Sequence, residues 1–530
     1  MYESTRTARG MVAAPHSLAV EAGRQILAEG GNAIEAAIAA AAAIAVVYPH
    51  MNHLGGDGFW LIREPSGKVH YIEACGFAGS AATIPAYRAL GYDAIPTRGP
   101  LAALTVPGAV GGWALAHEAA RGSGGRLPLA ELLAPAIAHA RAGVAVTRSQ
   151  HVLTGEKRAE LEPAPGFSSL FLPGGKVPEI GDVIANPRLA DTLDHLARAG
   201  LDDFYRGDVS REMASDLERI GAPLARGDLE AYRAVARAPL SVRLACGQVF
   251  NAPPPTQGLA SLMILGIFDR LGVKAAESFD HVHGLVEATK RAFLVRDAVV
   301  RDFAHLQHDL ADLLSAARLE AEAARIDMRR ALPWPRPSAK GDTIWLGAAD
   351  ASGRVVSYIQ SIFFEFGSGC VLPSTGILMQ NRGASFSLDP QATNPLKPGR
   401  RPFHTLNPAL AQLEDGRVMA YGTMGGEGQP QTQAAVFTRH VLFGEPLGAA
   451  IAAPRWLLGR TWGSVATNLR LESRFDDSLV RALIAAGHDV EILPEAFSDT
   501  MGHAGAVILH PGGDLEGAHD PRADGGADGI

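Results

Sequence analysis

Cysteine is nearly absent from this chain. Cys75, Cys246 and Cys370 stand far apart among 530 residues. Three separated cysteines make no complete disulfide framework, and their spacing suits no metal site. They are expected to be buried thiols in a reducing compartment. Charge is scarce as well: 20% of residues are charged, the formal net charge is −8, and there is no basic run. That balance lacks the electrostatic footprint of a nucleic-acid binder. Long apolar runs are also missing. The best, from 33 to 47, contains Glu35 and is too short to span a bilayer. The opening MYESTRTARGM has no apolar stretch of signal-peptide length. These absences lead to the expectation of a soluble, cytoplasmic protein with no membrane or nucleic-acid partner.

Familiar catalytic signatures are missing too. Phe366-Gly367-Ser368-Gly369 has the wrong spacing for a Gly-x-Ser-x-Gly elbow. His117-Glu118 is followed by Ala119-Ala120-Arg121, so the zinc-helix pattern lacks its second histidine. His281 with His283, and His305 with His308, are the remaining pairs close enough to imagine as ligands. No phosphate loop or dinucleotide fingerprint appears, so no metal or other cofactor is expected.

What is present is a core. Hydrophobic residues make up 47% of the chain, enough for one large core or two ordinary ones, with 59 glycines and 34 prolines as in a loop-rich α/β enzyme. Two helices are expected between Ser17 and Val47, broken at Gly30-Gly31, followed by a glycine-rich turn and a strand over 59–63. Helical patterns recur over 129–139, 203–220 and 282–301, with an apolar helix from about Ala260. The glycine- and aspartate-rich tail from Asp514 is either disordered or, at Asp520-Pro521-Arg522, a fixed turn.

The texture changes at residues 332–341, where Pro333, Pro335 and Pro337 exclude regular helix and central strand. The segment reads as extended and mobile. Directly after it, residues 343–349 and 354–364 read as two strands around the turn Asp350-Ala351-Ser352-Gly353. A hairpin centred on Ser352 sets Ser361 opposite Thr343 to within about a residue, one hydroxyl beside another. Threonine is common in strands, and Thr343 as a plain strand opener is one reading. The other is N-terminal nucleophile chemistry. Cleavage before Thr343 would expose an α-amine with a pKa of about 7.7–8.0, able to take the hydroxyl proton at neutral pH.

Several stretches decide between these readings by their order and spacing. They include Gly10-Met11-Val12-Ala13-Ala14-Pro15-His16, Gly30-Gly31-Asn32-Ala33, Gly55-Gly56-Asp57-Gly58-Phe59 and Thr105-Val106-Pro107-Gly108. Further along come Pro253-Pro254-Pro255-Thr256-Gln257-Gly258, Thr343, Phe366-Gly367-Ser368-Gly369, Gly376-Ile377-Leu378, Arg401-Pro402, Gly425-Gly426 and Asp520-Pro521-Arg522. Through them the chain resembles the γ-glutamyltranspeptidase family over essentially its whole length. The resemblance implies an α+β fold, the four-layer αββα sandwich of N-terminal nucleophile hydrolases. It also implies self-cleavage between Asp342 and Thr343 into a large chain, 1–342, and a small chain, 343–530. The two would stay together as one domain and react through a threonyl ester. Gly425 and Gly426 resemble the family's oxyanion hole, and Ser361 its second hydroxyl. A homodimer is left open.

The pocket departs from the family pattern. The family's large-chain arginine falls near Ala74-Cys75-Gly76, which has none, and its ammonium-binding aspartate falls near Ser385. An asparagine becomes Phe363, an amide becomes Arg382, and paired serines become His404 and Thr405. Arg382 is either a structural ion pair or a bidentate donor for a carboxylate; His404 is either a satisfied loop histidine or part of the pocket. Such a pocket suits a small anionic amide without an α-amino group. Residues 341–345, 380–386 and 422–433 resemble the oxamate amidohydrolase branch of the superfamily. In that branch Arg382 would hold the carboxylate while Thr343 attacks and ammonia leaves, and water would then release oxalate. The alternatives are a γ-glutamyl hydrolase or transferase, an acylase of a dicarboxyl side-chain amide, and an unprocessed scaffold. The last is suggested by Ile344 and Trp345, where the family often has threonine and histidine.

Overall fold

Fifteen residues from Ala33 to Val47 form a helix in which every side chain is buried. Alanine makes this possible, because small side chains let neighbours pack close on all sides. Asn32 caps the helix, and its one carboxylate is satisfied locally. Glu35 accepts from Asn32 N at 2.8 Å and from Leu127 N at 2.9 Å, which offsets the cost of burying it. The helix packs between the helices Ser17–Ala28 and Leu129–Ala142 and a seven-stranded sheet. The computed structural model describes residues 2–334, 342–459 and 467–530. The reading of 335–341 as an extended, mobile linker lies outside the described residues.

That sheet runs Gly526–Gly529, Gly10–Ala14, Asp342–Asp350, Val355–Phe363, Asp57–Arg63, Val69–Ala74, Val235–Arg237. The second runs Thr5–Thr7, Leu515–His519, Ala504–Leu509, Val418–Thr423, Ala409–Leu413, Gly247–Asn251, Leu240–Leu244. Neighbouring strands are antiparallel throughout both. Met11, Phe59, Leu61, Trp345, Ile359, Leu410 and Val507 fill the space between the two sheets. A second helical layer, including Gly258–Phe268, Phe279–Val299 and Gly428–Phe437, covers the outer face of the second sheet. The result is a four-layer αββα sandwich. Strands from before and after position 342 interleave in both sheets, so neither part has a core of its own.

Element boundaries move by a few residues. The expected helix over 203–220 divides at Gly207 into Asp203–Arg206 and Asp208–Ile220. The tail corrects one alternative, since it is ordered and supplies two strands, Leu515–His519 and Gly526–Gly529. Between them Asp520 is buried against Arg455 and Arg522. Its apparent polarity comes from a buried ion network that composition does not distinguish from disorder. Cys75 and Cys370 are buried thiols, but Cys246, in the turn between the edge strand Leu240–Leu244 and its neighbour Gly247–Asn251, is only half-buried. Among the described residues no helix is long and apolar enough to cross a membrane.

Candidate active site

The hairpin Asp342–Asp350 and Val355–Phe363 occupies the centre of the first sheet. Its pairs are symmetric about Ser352, from Ala349 with Val355 to Ile344 with Gln360. Asp342 then pairs with Phe363, so the register slips by one residue at Thr343. A bulge re-aims the side chain it carries, and here it falls on the candidate nucleophile. On the other side of this hairpin Ser361 pairs with Asp57. Thr343, Ser361 and Asp57 thus stand in a row across three central strands, all with essentially no solvent exposure.

Thr343 receives a hydrogen bond on Oγ1 from Gln429 Nε2 at 3.1 Å. The Gln429 carbonyl oxygen accepts from Asn407 N at 3.2 Å and Asn407 Nδ2 at 3.1 Å, which fixes the amide with its NH2 toward the threonine. Ser361 Oγ accepts from Phe363 N at 2.8 Å and turns the strand end. Phe363 itself has φ of 82°, an uncommon backbone state for a bulky residue.

Gly425 and Gly426 lie between the Val418–Thr423 strand and the Gly428–Phe437 helix, with φ of 111° and 53°. A side chain is strained in both states, so glycine is favoured. Gly428 N donates to Gly425 O at 2.7 Å, closing the turn. Among the described residues, neither Gly425 N–H nor Gly426 N–H donates to a protein acceptor. Gln257 Nε2 holds the loop from behind through Gly426 O at 2.8 Å and Thr405 O at 2.7 Å. Gln257 is fixed in turn by Arg296 at 3.0 Å, which also pairs with Glu427 at 3.0 Å.

Arg382, His404 and Thr405 meet nearby. The buried guanidinium of Arg382 lies 3.8 Å from the Phe363 ring centroid and donates through Nη1 to Thr405 Oγ1 at 3.3 Å. Among the described residues its Nε and Nη2 have no protein acceptor. Burial pulls its pKa down to about 9, against the opposing pull of Asp57. Asp57 Oδ1 accepts from Gly108 N at 3.0 Å, Gly76 N at 3.1 Å and Gln380 Nε2 at 3.2 Å. Its Oδ2 faces His404 Nε2 at 3.4 Å. Burial pushes the Asp57 pKa up to about 7, with Arg382 countering it, and pushes His404 well below its ordinary value, with Arg382 and Arg401 adding to that shift.

The other departures have plain structural accounts. Ser385 donates to Arg382 O and Phe403 O, both at 3.0 Å. Trp345 fills the inter-sheet core and donates to Ser357 at 2.9 Å. A Cβ on Gly422 would come within 2.1 Å of its indole, so the large residue on one strand is matched by glycine on the facing one. The imagined metal pairs do not converge. His281 bonds Thr438 at 2.8 Å, and His305 and His308 are exposed. His283 lies near Glu287 and His488, but its ring nitrogens already bond His488 at 2.8 Å and Asp327 O at 2.9 Å. Sequence reasoning quoted Asp57, Gln257 and Gln429 within matching stretches without giving them a role. Asn407 and Arg296 carried no signal at all, because each acts through a partner distant in sequence.

The chain is similar to known proteins along its length. The family model described as gamma-glutamyltranspeptidase matches residues 19–530. An oxamate amidohydrolase proenzyme of Klebsiella pneumoniae is 54% identical over 531 residues, covering 100% of both chains. A glutathione hydrolase-like YwrD proenzyme of Bacillus subtilis is 40% identical, again covering 100% of both. The crystal structure of a cephalosporin acylase from Bacillus halodurans superposes with a TM-score of 0.90 at 34% identity, covering 100% of this chain and 97% of that one.

Proposed function

The chain belongs to the γ-glutamyltranspeptidase family, and from that premise we propose that it is a self-processing threonine amidohydrolase that converts oxamate to oxalate and ammonia. In this reading Thr343 Oγ1 attacks the carbonyl of Asp342, and the resulting ester is hydrolysed. This leaves a large chain, 1–342, and a small chain, 343–530, in one sandwich. The freed α-amine of Thr343 then serves as base for its own hydroxyl. The hydroxyl attacks the substrate amide carbon, with Ser361 as its neighbour. Gly425 N–H and Gly426 N–H receive the developing oxyanion at the positive end of the Gly428–Phe437 helix. Ammonia leaves with a proton returned by the α-ammonium, and water resolves the threonyl ester.

One observation carries the substrate reading. Arg382 is buried, yet among the described residues the edge made by Nε and Nη2, the side-on fork that fits a carboxylate, has no protein acceptor. An amide whose only other group is a carboxylate matches that edge, and the Klebsiella relative at 54% identity is named for such a substrate. Phe363 under the guanidinium takes up volume that a longer acyl chain would need. A second reading has its own support: the Asp57 Oδ2 acceptor beside Arg382 also suits the amino acid head of a γ-glutamyl donor. Ammonia release from oxamate by the two-chain protein, measured beside glutaryl and γ-glutamyl amides, decides between them. Absence of ammonia from oxamate would overturn the substrate assignment.

A further inference from the structure

We infer that the Arg382 chamber takes up a proton together with its anion, with Asp57 as the group protonated, and that this coupling selects an anion carrying no ammonium. The inference rests on the reading that Arg382 holds the substrate carboxylate. Asp57, Arg382 and His404 are each at most 1% exposed, so no solvent screens the charges they bring together. Asp57 Oδ1 is saturated by three donors, and among the described residues Oδ2 lacks a hydrogen-bond partner.

The charge count follows from the groups that face Asp57. These are Arg382 and His404, Cys75 beyond the neighbouring strand, and the phenols of Tyr205, Tyr232 and Tyr358. Burial keeps the thiol and the phenols protonated and His404 neutral. Arg401, which also reaches His404, is paired with Glu73 at 3.2 Å, so among the described residues Arg382 is the cation that acts on Asp57, and it balances one negative charge. An ionised Asp57 already uses that balance. A carboxylate entering at the Arg382 fork makes a second negative charge in a dry site, which a proton from bulk water onto Asp57 Oδ2 removes. Burial pushes the Asp57 carboxyl up to about 7, which makes that proton accessible near neutrality. Anion affinity is therefore flat below about pH 7 and falls about tenfold per unit above it. A zwitterion reverses the sign, because its ammonium pairs with ionised Asp57 and tightens binding as pH rises.

Oxalate, fully ionised at neutral pH and not turned over, is the probe. Calorimetric titration of the two-chain protein at pH 6 and pH 8, in buffers of differing ionisation enthalpy, counts protons taken up. The expected result at pH 8 is uptake approaching one proton per oxalate, with weaker binding than at pH 6. In Asp57→Asn, whose amide oxygen can still accept from Gly76 and Gly108, the Asp57 share of the uptake and of the pH dependence disappears, and what remains belongs to the Thr343 α-amine, which titrates at about 7.7–8.0. Oxalate binding without proton uptake, or tighter binding at pH 8, overturns the inference from the wild-type protein alone. Failure to bind oxalate at either pH instead overturns the Arg382 reading beneath it.

Discussion

The carboxamide of Gln429 reaches from the first turn of the Gly428–Phe437 helix and donates to Thr343 Oγ1 at 3.1 Å. Asn407 holds its other end, so this is an oriented donor. A donor on one lone pair leaves the hydroxyl proton to point at a base and fixes the direction of attack. Gln429→Leu removes the donor and leaves the buried Asn407 N–H unpaired, while Asn407 Nδ2 keeps Thr405 O at 2.9 Å. Cleavage of the precursor and kcat are expected to slow about 10- to 100-fold with KM little changed. The appearance of two bands on a denaturing gel gives the first rate and steady-state kinetics the second. Unchanged rates would reduce Gln429 to a packing residue.

Thr343 itself gives the coarsest test. Thr343→Ala has no hydroxyl to attack Asp342 and is expected to stay a single 55.6 kDa chain without activity. Thr343→Ser keeps the hydroxyl and should still cleave, at its own rate. A cleaved, active alanine variant would remove the nucleophile assignment.

How much of this was legible in the sequence depends on how local each cause is. The hairpin was legible because turn residues and β-branched strands are neighbours, and the symmetry about Ser352 holds from Ala349 to Ile344. The slip at Thr343 was not, since a bulge is set by what packs on the strand end. Gly425 and Gly426 were readable through the family resemblance, since two glycines alone read as an ordinary turn and their φ of 111° and 53° emerge only in the fold. Asp57 was visible inside a glycine cluster but had no readable role. Its meaning comes from Gln380, His404 and Arg382, more than 300 residues away in the chain. The tail misled in the other direction. Asp and Gly suggest disorder when counted, but Asp520 finds Arg455 and Arg522 only in the folded protein.

Gly426→Ala places a Cβ on a residue with φ of 53° and is expected to shift the loop whose N–H groups lack acceptors among the described residues. Loss of one oxyanion donor lowers kcat by about 100- to 1,000-fold. The same loss is expected here, with oxalate binding largely retained because Arg382 is untouched. Parallel loss of both would show that the loop shapes the pocket and does not serve the oxyanion.

Arg382→Lys keeps the charge and discards the planar fork. The lysine ammonium cannot present two parallel N–H groups to a carboxylate, nor lie flat on Phe363 at 3.8 Å as the guanidinium does. Losing one charge-assisted hydrogen bond costs about 1.5–3 kcal/mol, so kcat/KM should fall about 10- to 150-fold. Processing of the precursor should continue, because the cleaved bond needs no carboxylate anchor. A lysine variant as efficient as wild type would show that Arg382 acts only through its charge.

Asp520 tests the frame of the site through stability. It accepts from Ala504 N at 2.7 Å and Arg522 N at 3.0 Å, and pairs with Arg455 and Arg522. Burial alone would raise its pKa, but the two arginines and these donors outweigh it and hold the carboxyl far below its ordinary 3.8. A carboxylate depressed in the folded state adds stability above its unfolded pKa and loses it as the pH falls. Melting temperature should therefore hold near neutrality and drop below about pH 4, in part through Asp520. Asp520→Asn leaves Arg455 and Arg522 without that counter-charge and is expected to cost about 3–5 kcal/mol at pH 7. The variant's acid-side drop should also be shallower than wild type's, because the group that titrates has gone. Thermal melts of both proteins across pH 3–8 read the two effects separately. An equal loss at every pH would mean that Asp520 contributes through its hydrogen bonds and not through its charge.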